Sequence, residues 1–190
     1  MLIVVRHGRT AANAAGLLQG RIDLDLDDHG KAQAAAIARA LRTVDAVVTS
    51  PLRRARQTAD AFGLAAKVDE RWIELDYGEW DEVPVKGVPA EQWTAWRADP
   101  NFEPPGGESL VTLQERVEDA CRELSEYAAD RDIAVVTHVS PIKAAVSWAL
   151  GVDAGVTWRM NVAQASISRI RIGPLGPVLV SFNETSHLDG

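Results

Sequence analysis

The sequence predicts an α/β fold: a three-layer αβα sandwich with a mostly parallel central sheet, helices on both faces and a lid insertion. Three observations predict it. Residues 2–5, 45–49 and 133–137 are short apolar runs of the same form, each ending beside a polar cluster, which is how strands buried on both faces read. Helical patterns separate them, and strands alternating with helices build a sheet with helices on both sides. The chain of 190 residues, 46% hydrophobic and 25% charged, has the size and composition of one ordinary globular core, here 1–190 as a single domain.

In chain order, the strand at 2–5 runs into Arg6-His7-Gly8. An alanine-rich helix is expected over 28–42, with Asp27 as its N-cap and a carboxylate well placed at the positive helix end. After the strand at 45–49, a helix over 51–62 starts at Ser50-Pro51, with Ser50 as cap and Pro51 as its first residue, and stops at Gly63. The longest helix runs over 109–129, where Leu110, Leu113, Val117, Cys121, Leu124 and Ala128 form one apolar stripe that should lie on the sheet. The strand at 133–137, a helix over 141–150 and strands near 166–172 and 178–182 complete the order. Residues 81–108 break the rhythm with five prolines, Trp93, Trp96 and Phe102, and read as an excursion over the sheet with a short helix at 91–97. Such a loop is a lid or a decorative insertion.

Composition narrows the function. Lys+Arg of 20 against Asp+Glu of 27 gives a net charge of −7, which disfavours a nucleic-acid partner but leaves room for a small basic pocket. The single Cys121 needs no oxidising compartment. Residues 1–5 lack the basic start of a signal peptide, and no stretch reaches membrane-spanning length, so a cytoplasmic protein without a membrane partner is expected. A homodimer is left open.

Ligands of open α/β sheets sit at the carboxyl ends of the strands. Three such ends carry Arg6-His7, Ser50 to Arg54, and His138, so two histidines and at least two arginines meet at one rim. Each alone has a bland reading as a satisfied rim residue or a solvated cation. Together, cations crowded in an acidic protein call for an anionic guest. A metal is the poor choice, because the four histidines include no short-spaced pair and the neighbours are arginines rather than carboxylates. Ser50 lacks the surroundings of a nucleophile elbow, and no dinucleotide fingerprint is present, so no cofactor is expected.

The blocks Arg6-His7-Gly8-Arg9-Thr10 with Asn13, Gln19-Gly20, Ser50-Pro51-Leu52-Arg53-Arg54-Ala55 with Thr58-Ala59, Glu74 before Tyr77-Gly78-Glu79-Trp80, Gly107-Glu108-Ser109, and His138 resemble, in this order, the histidine phosphatase superfamily of phosphoglycerate-mutase-like proteins. The resemblance spans residue 2 to about 150. It implies hydrolysis of a small phosphomonoester through a phosphohistidine on His7, without metal or cofactor. Arg6, Arg54 and His138 would clamp the phosphoryl oxygens, with Asn13, Gln19, Gly20 and Val139 as further substrate contacts, and Glu74 would be the acid and base, with Asp76 in reserve. Neutral imidazole suits a nucleophile, and several converging cations suit a near-dianion.

The sequence departs from the family where the glycine after the second histidine is Val139, which could alter a backbone contact to phosphate, and where a glycine of the Tyr77 block is Glu82, which should reshape the lid. Residues 81–108 hold only Lys86 and Arg97 as cations against six acidic residues, which argues for a phosphatase over a phosphoglycerate mutase. Their aromatics, with Trp80, suit a ring-bearing leaving group or pack the segment onto the sheet. The 136–143 stretch is similar to that of α-ribazole phosphate phosphatases. A non-enzymatic phosphate-binding module on the same fold is the remaining alternative.

Overall fold

The computed structural model describes residues 1–189. Six strands, β1 (Leu2–Arg6), β2 (Ala46–Thr49), β3 (Lys67–Val68), β4 (Ile133–Thr137), β5 (Ile167–Gly173) and β6 (Gly176–Glu184), form one sheet in the order β3-β2-β4-β1-β5-β6. The first four are parallel, and β5 and β6 add an antiparallel edge. The helices are α1 (Ala11–Ala15), α2 (Asp28–Ala40), α3 (Arg53–Asp60), α4 (Ala90–Ala98), α5 (Leu110–Ala128) and α6 (Val139–Leu150).

Alternation along β1 decides the layers. Leu2 and Val4 join one apolar cluster with Leu113, Val117 and Cys121 of α5 and Ile142 of α6, while Ile3 and Val5 join a second with Ile37 of α2 and Ala55 and Ala59 of α3. This is the three-layer αβα sandwich, with β4, β1 and β2 buried between helices.

The expected strand and helix boundaries fall within two residues of those observed, and the small differences are instructive. Asp27 does cap α2, its carboxylate accepting from Gly30 N–H at 2.7 Å. Ser50 does not cap α3. That helix begins at Arg53, its N-cap is Leu52 without a side-chain bond, and Pro51 lies outside it. Helix α6 starts at Val139 rather than Pro141, so the proline occupies the first turn, where a missing N–H has no intrahelical partner to lose. Two elements were not foreseen: the two-residue β3 and the five-residue α1, which is held by a capping box between Thr10 and Asn13.

Gly8 and Gly30 explain how the β1–α1 loop approaches α2. A Cβ on Gly30 would stand 2.0 Å from Arg9 O, and one on Gly8 would stand 2.3 Å from Gly30 O, so backbone presses on backbone there. Glu82 stands in the left-handed region. Its φ of 63° is the left-handed conformation a glycine adopts freely, and its N–H still donates to Leu18 O at 3.0 Å.

Within residues 81–108 the aromatics pack. Trp96 is 2% exposed and shares the α5–α6 side cluster with Trp80, and its ring lies 5.4 Å from Trp93 and 5.1 Å from Trp158, centroid to centroid. Among the described residues no helix is long and apolar enough to cross a membrane.

Candidate active site

The carboxyl ends of β1, β2 and β4 are adjacent in the sheet, and the residues that follow them meet. His7 and His138 approach to 5.0 Å between ring centroids at an interplanar angle of 60°. Both rings are buried. Arg54, on the first turn of α3, reaches beneath them and is fully buried. Its Nε donates to His138 Nδ1 at 3.2 Å, and its two Nη atoms donate to Ile22 O and Gly20 O, each at 2.7 Å. Among the described residues two of the five guanidinium N–H groups remain without a protein partner. Arg6 donates from one Nη to Val162 O at 2.7 Å, and its buried Nε has no acceptor among the described residues.

Both guanidinium groups thus rest on neutral acceptors. Among the described residues neither forms an ion pair, whereas Arg53, the neighbour of Arg54, lies at the surface against Asp23 and Asp25. A buried cation without a counterion is costly, and an anion in the cup would offset that cost. Burial pulls Arg54 down to about 10 from the usual arginine value, which leaves it charged at neutral pH, and lowers Arg6 as well.

The hydrogen bonds set the histidine tautomers. His7 Nδ1 lies 2.7 Å from the Gly8 carbonyl, which can only accept, so Nδ1 carries the proton and Nε2 keeps its lone pair. His138 Nδ1 accepts from Arg54, so its Nε2 carries the proton and donates to Ser50 Oγ at 2.7 Å. Burial first, then Arg54, holds both imidazoles well below the ordinary histidine range, with Arg6 adding to the effect on each.

Glu74 is 3% exposed, and α6 delivers its partners. Oε1 accepts N–H from Leu75 at 2.8 Å and Ser140 at 3.1 Å, and Oε2 accepts N–H from Val139 at 3.1 Å. Val139 therefore gives its N–H to Glu74 and not to the cup. Asp76 is engaged elsewhere, accepting from Gly78 N–H at 2.9 Å and pairing with Arg21 at 3.1 Å. Gln19 accepts from Thr10 Oγ1 at 2.8 Å, and its buried Nε2 has no acceptor among the described residues. Gly20 N–H donates to Asp81 and Gly20 O accepts from Arg54, while Asn13 Oδ1 caps α1 by accepting from Thr10 N–H at 3.2 Å.

Sequence reasoning missed two residues here. Ser50 was read as a helix cap, although its place at the end of β2, on the rim shared with His7 and His138, was the available signal. Arg116 on α5 donates to the carbonyls of Arg71, Ile73 and Glu74 at 2.6, 2.9 and 3.3 Å and pairs with Glu108 at 2.8 Å, so it fixes the loop that carries Glu74. Nothing in its local sequence marked it.

Two arginines that form no ion pair among the described residues, with Glu74 acting on both only at longer range, beside an imidazole whose Nε2 has no protein partner, suit a phosphoryl group, and comparison with known proteins agrees. The sequence matches the family model of the histidine phosphatase superfamily (branch 1) over residues 2–185. The chain belongs to that superfamily. It is 34% identical to phosphoserine phosphatase 1 of Hydrogenobacter thermophilus across 98% of this chain and 93% of that one. It is also 34% identical to a glucosyl-3-phosphoglycerate phosphatase of Mycolicibacterium vanbaalenii, across 79% and 74%. A crystal structure of a phosphoserine phosphatase mutant from Entamoeba histolytica in complex with phosphoserine superimposes with a TM-score of 0.91 at 25% identity, covering 98% of both chains. This histidine phosphatase is accordingly a hydrolase of small phosphorylated metabolites. Among its described residues, no group of three or more His, Cys, Asp and Glu is arranged to hold a metal ion.

Proposed function

We propose that His7 is the nucleophile of a phosphomonoester hydrolase, that Arg6 and Arg54 clamp the phosphoryl oxygens, and that Glu74 handles the proton. The observation that carries this reading is the burial of Arg54 with hydrogen bonds to backbone carbonyls and His138 and none to a carboxylate, next to the open Nε2 of His7. Attack by Nε2 forms the N–P bond as the ester P–O bond breaks. The alkoxide leaves with a proton from the Glu74 carboxyl group. Water then attacks the phosphohistidine and returns its proton to Glu74, releasing phosphate and free imidazole. Of the roughly four lone-pair sites of a carboxylate, Glu74 has three filled by backbone N–H, and the remaining one on Oε2 is where that proton would travel.

In this reading His138 acts by positioning. Its Nδ1 fixes the plane of the Arg54 guanidinium, and its own N–H is held by Ser50, so the expected direct clamp by His138 gives way to an indirect one. Gln19 Nε2 is a further donor available to the substrate. Asn13, Gly20 and Val139 serve the surrounding framework instead. Residues 81–108 form the lid over the substrate's organic part.

A small leaving group is part of this reading, placed in the cavity of about 80 Å³ beside Glu74 that Leu75, Tyr77, Val139 and Ser140 line. Phosphoserine, named for relatives, is the first substrate to try. A cytoplasmic setting belongs to the same proposal.

The test is hydrolysis of p-nitrophenyl phosphate and phosphoserine by wild type and His7→Ala, with trapping of an acid-labile phosphoenzyme. Loss of at least about 10³-fold in kcat with loss of the trapped species is expected. Turnover by His7→Ala near the wild-type rate would remove the nucleophile assignment.

A further inference from the structure

Lys143 stands one helical turn beyond Val139 on α6 and lines the cavity of about 80 Å³ together with Leu75, Tyr77, Trp93, Trp96 and Trp158. It is the one charged residue among those that form this wall. The same wall contains Leu75, Val139 and Ser140, whose N–H groups hold Glu74, so the cavity abuts the proton-handling carboxyl group. Lys143 is half-buried, and among the described residues its ammonium has no hydrogen bond or ion pair; the charges that act on it are Glu74, attractive, and Arg6, repulsive. Burial lowers its pKa from the usual lysine value. Trp96, in the same wall, is buried, and its indole N–H has no acceptor.

The lid supplies no equivalent. Lys86 is exposed, and the Arg97 guanidinium lies over the Trp158 ring at 5.7 Å. A cation partly withdrawn from water, set among aromatic rings and without an ion pair of its own, suits a carboxylate.

We propose that Lys143 is a specificity-determining residue that binds a carboxylate on the organic part of the substrate, so that the enzyme prefers small phosphomonoesters bearing a carboxylate a few bonds from the ester oxygen. This rests on the hydrolase reading above, since the phosphoryl group must occupy the arginine cup for a carboxylate to reach Lys143. The second anionic group, which the lid lacks the cations to hold, is taken by α6.

The test compares O-phosphoserine with O-phosphoethanolamine, which differ by the carboxylate alone, in wild type, Lys143→Met and Lys143→Arg. The wild-type kcat/KM ratio for the two should exceed about 10, Lys143→Met should lower that ratio by about tenfold or more through KM, and Lys143→Arg should recover part of it. A parallel decline on both substrates, or a wild type without preference, overturns the proposal and assigns Lys143 to packing with its head in water. Lys143→Gln is judged by the same ratio should Lys143→Met fail to fold. Wild type that hydrolyses p-nitrophenyl phosphate but neither matched substrate also overturns it. Failure on all three compounds instead takes down the hydrolase reading, and this proposal with it.

Discussion

Replacing Arg54 with lysine keeps a positive charge under the two histidines and removes the fork that holds it. The guanidinium binds His138 Nδ1 at 3.2 Å and the carbonyls of Ile22 and Gly20 at 2.7 Å, in a site with no solvent exposure. An ammonium on a flexible stem can reach about one of these three acceptors. The other two are left buried and unpartnered, at about 1–3 kcal/mol each, so the variant should lose about 2–6 kcal/mol of stability. For a chain of this length that lowers Tm by roughly 5–20 °C. The same change removes donors aimed at the phosphoryl oxygens, and loss of one preorganised donor of this kind typically costs about 10²–10³ in kcat. Melting followed by circular dichroism, with p-nitrophenyl phosphate turnover measured well below the variant's Tm, separates the two effects. A folded Arg54→Lys enzyme with kcat within about threefold of wild type would refute the clamp and leave Arg54 a purely structural residue.

The remaining predictions concern the histidines. Ser50→Ala leaves His138 Nε2–H without its acceptor in a fully buried position, which should cost about 1–3 kcal/mol in urea unfolding; an unchanged midpoint would contradict the tautomer assigned here. The folded-state pKa values of His7 and His138 lie below the unfolded value near 6.5, so the unfolded chain binds more protons in that window and stability falls as pH drops below about 6.5. Between pH 6.5 and 5.5 each should contribute about 1 kcal/mol of that loss, measurable as a falling urea midpoint, and a flat profile would remove the claim that both are held neutral. By the same sign, His7 remains unprotonated and nucleophilic below pH 6.5, so the acidic limb of the kcat/KM profile should lie under that value.

The central strands, the long amphipathic α5 and the meeting of His7, Arg54 and His138 were legible because they rest on strong local signals: continuous apolar runs, a helical stripe, and the rule that sites form at strand ends. The parts that were not legible lack such signals. Helix α1 is five residues long, too short for periodicity, and exists through the Thr10–Asn13 capping box. Strand β3 is two exposed residues with no alternation to read. Ser50 before proline imitates a helix cap, and only the β2–β4 pairing reveals that its hydroxyl faces His138. Val139 and Pro141 look like a strand-to-helix linker, yet the chain turns helical at once because Glu74, remote in sequence, accepts the first N–H groups. Glu82, a non-glycine residue in the left-handed region, had no sequence signal for that conformation.

Strand β1 lies between β4 and β5, with Leu2 paired to Ile133 on one side and Ile170 on the other. Of these six strands β1 comes first in the chain, yet its two neighbours come fourth and fifth. At ordinary synthesis rates it waits roughly ten seconds for the first of them and longer for the second. Slow, concentration-sensitive refolding should accompany this topology, and the meeting of His7, Arg54 and His138 has to wait for β4.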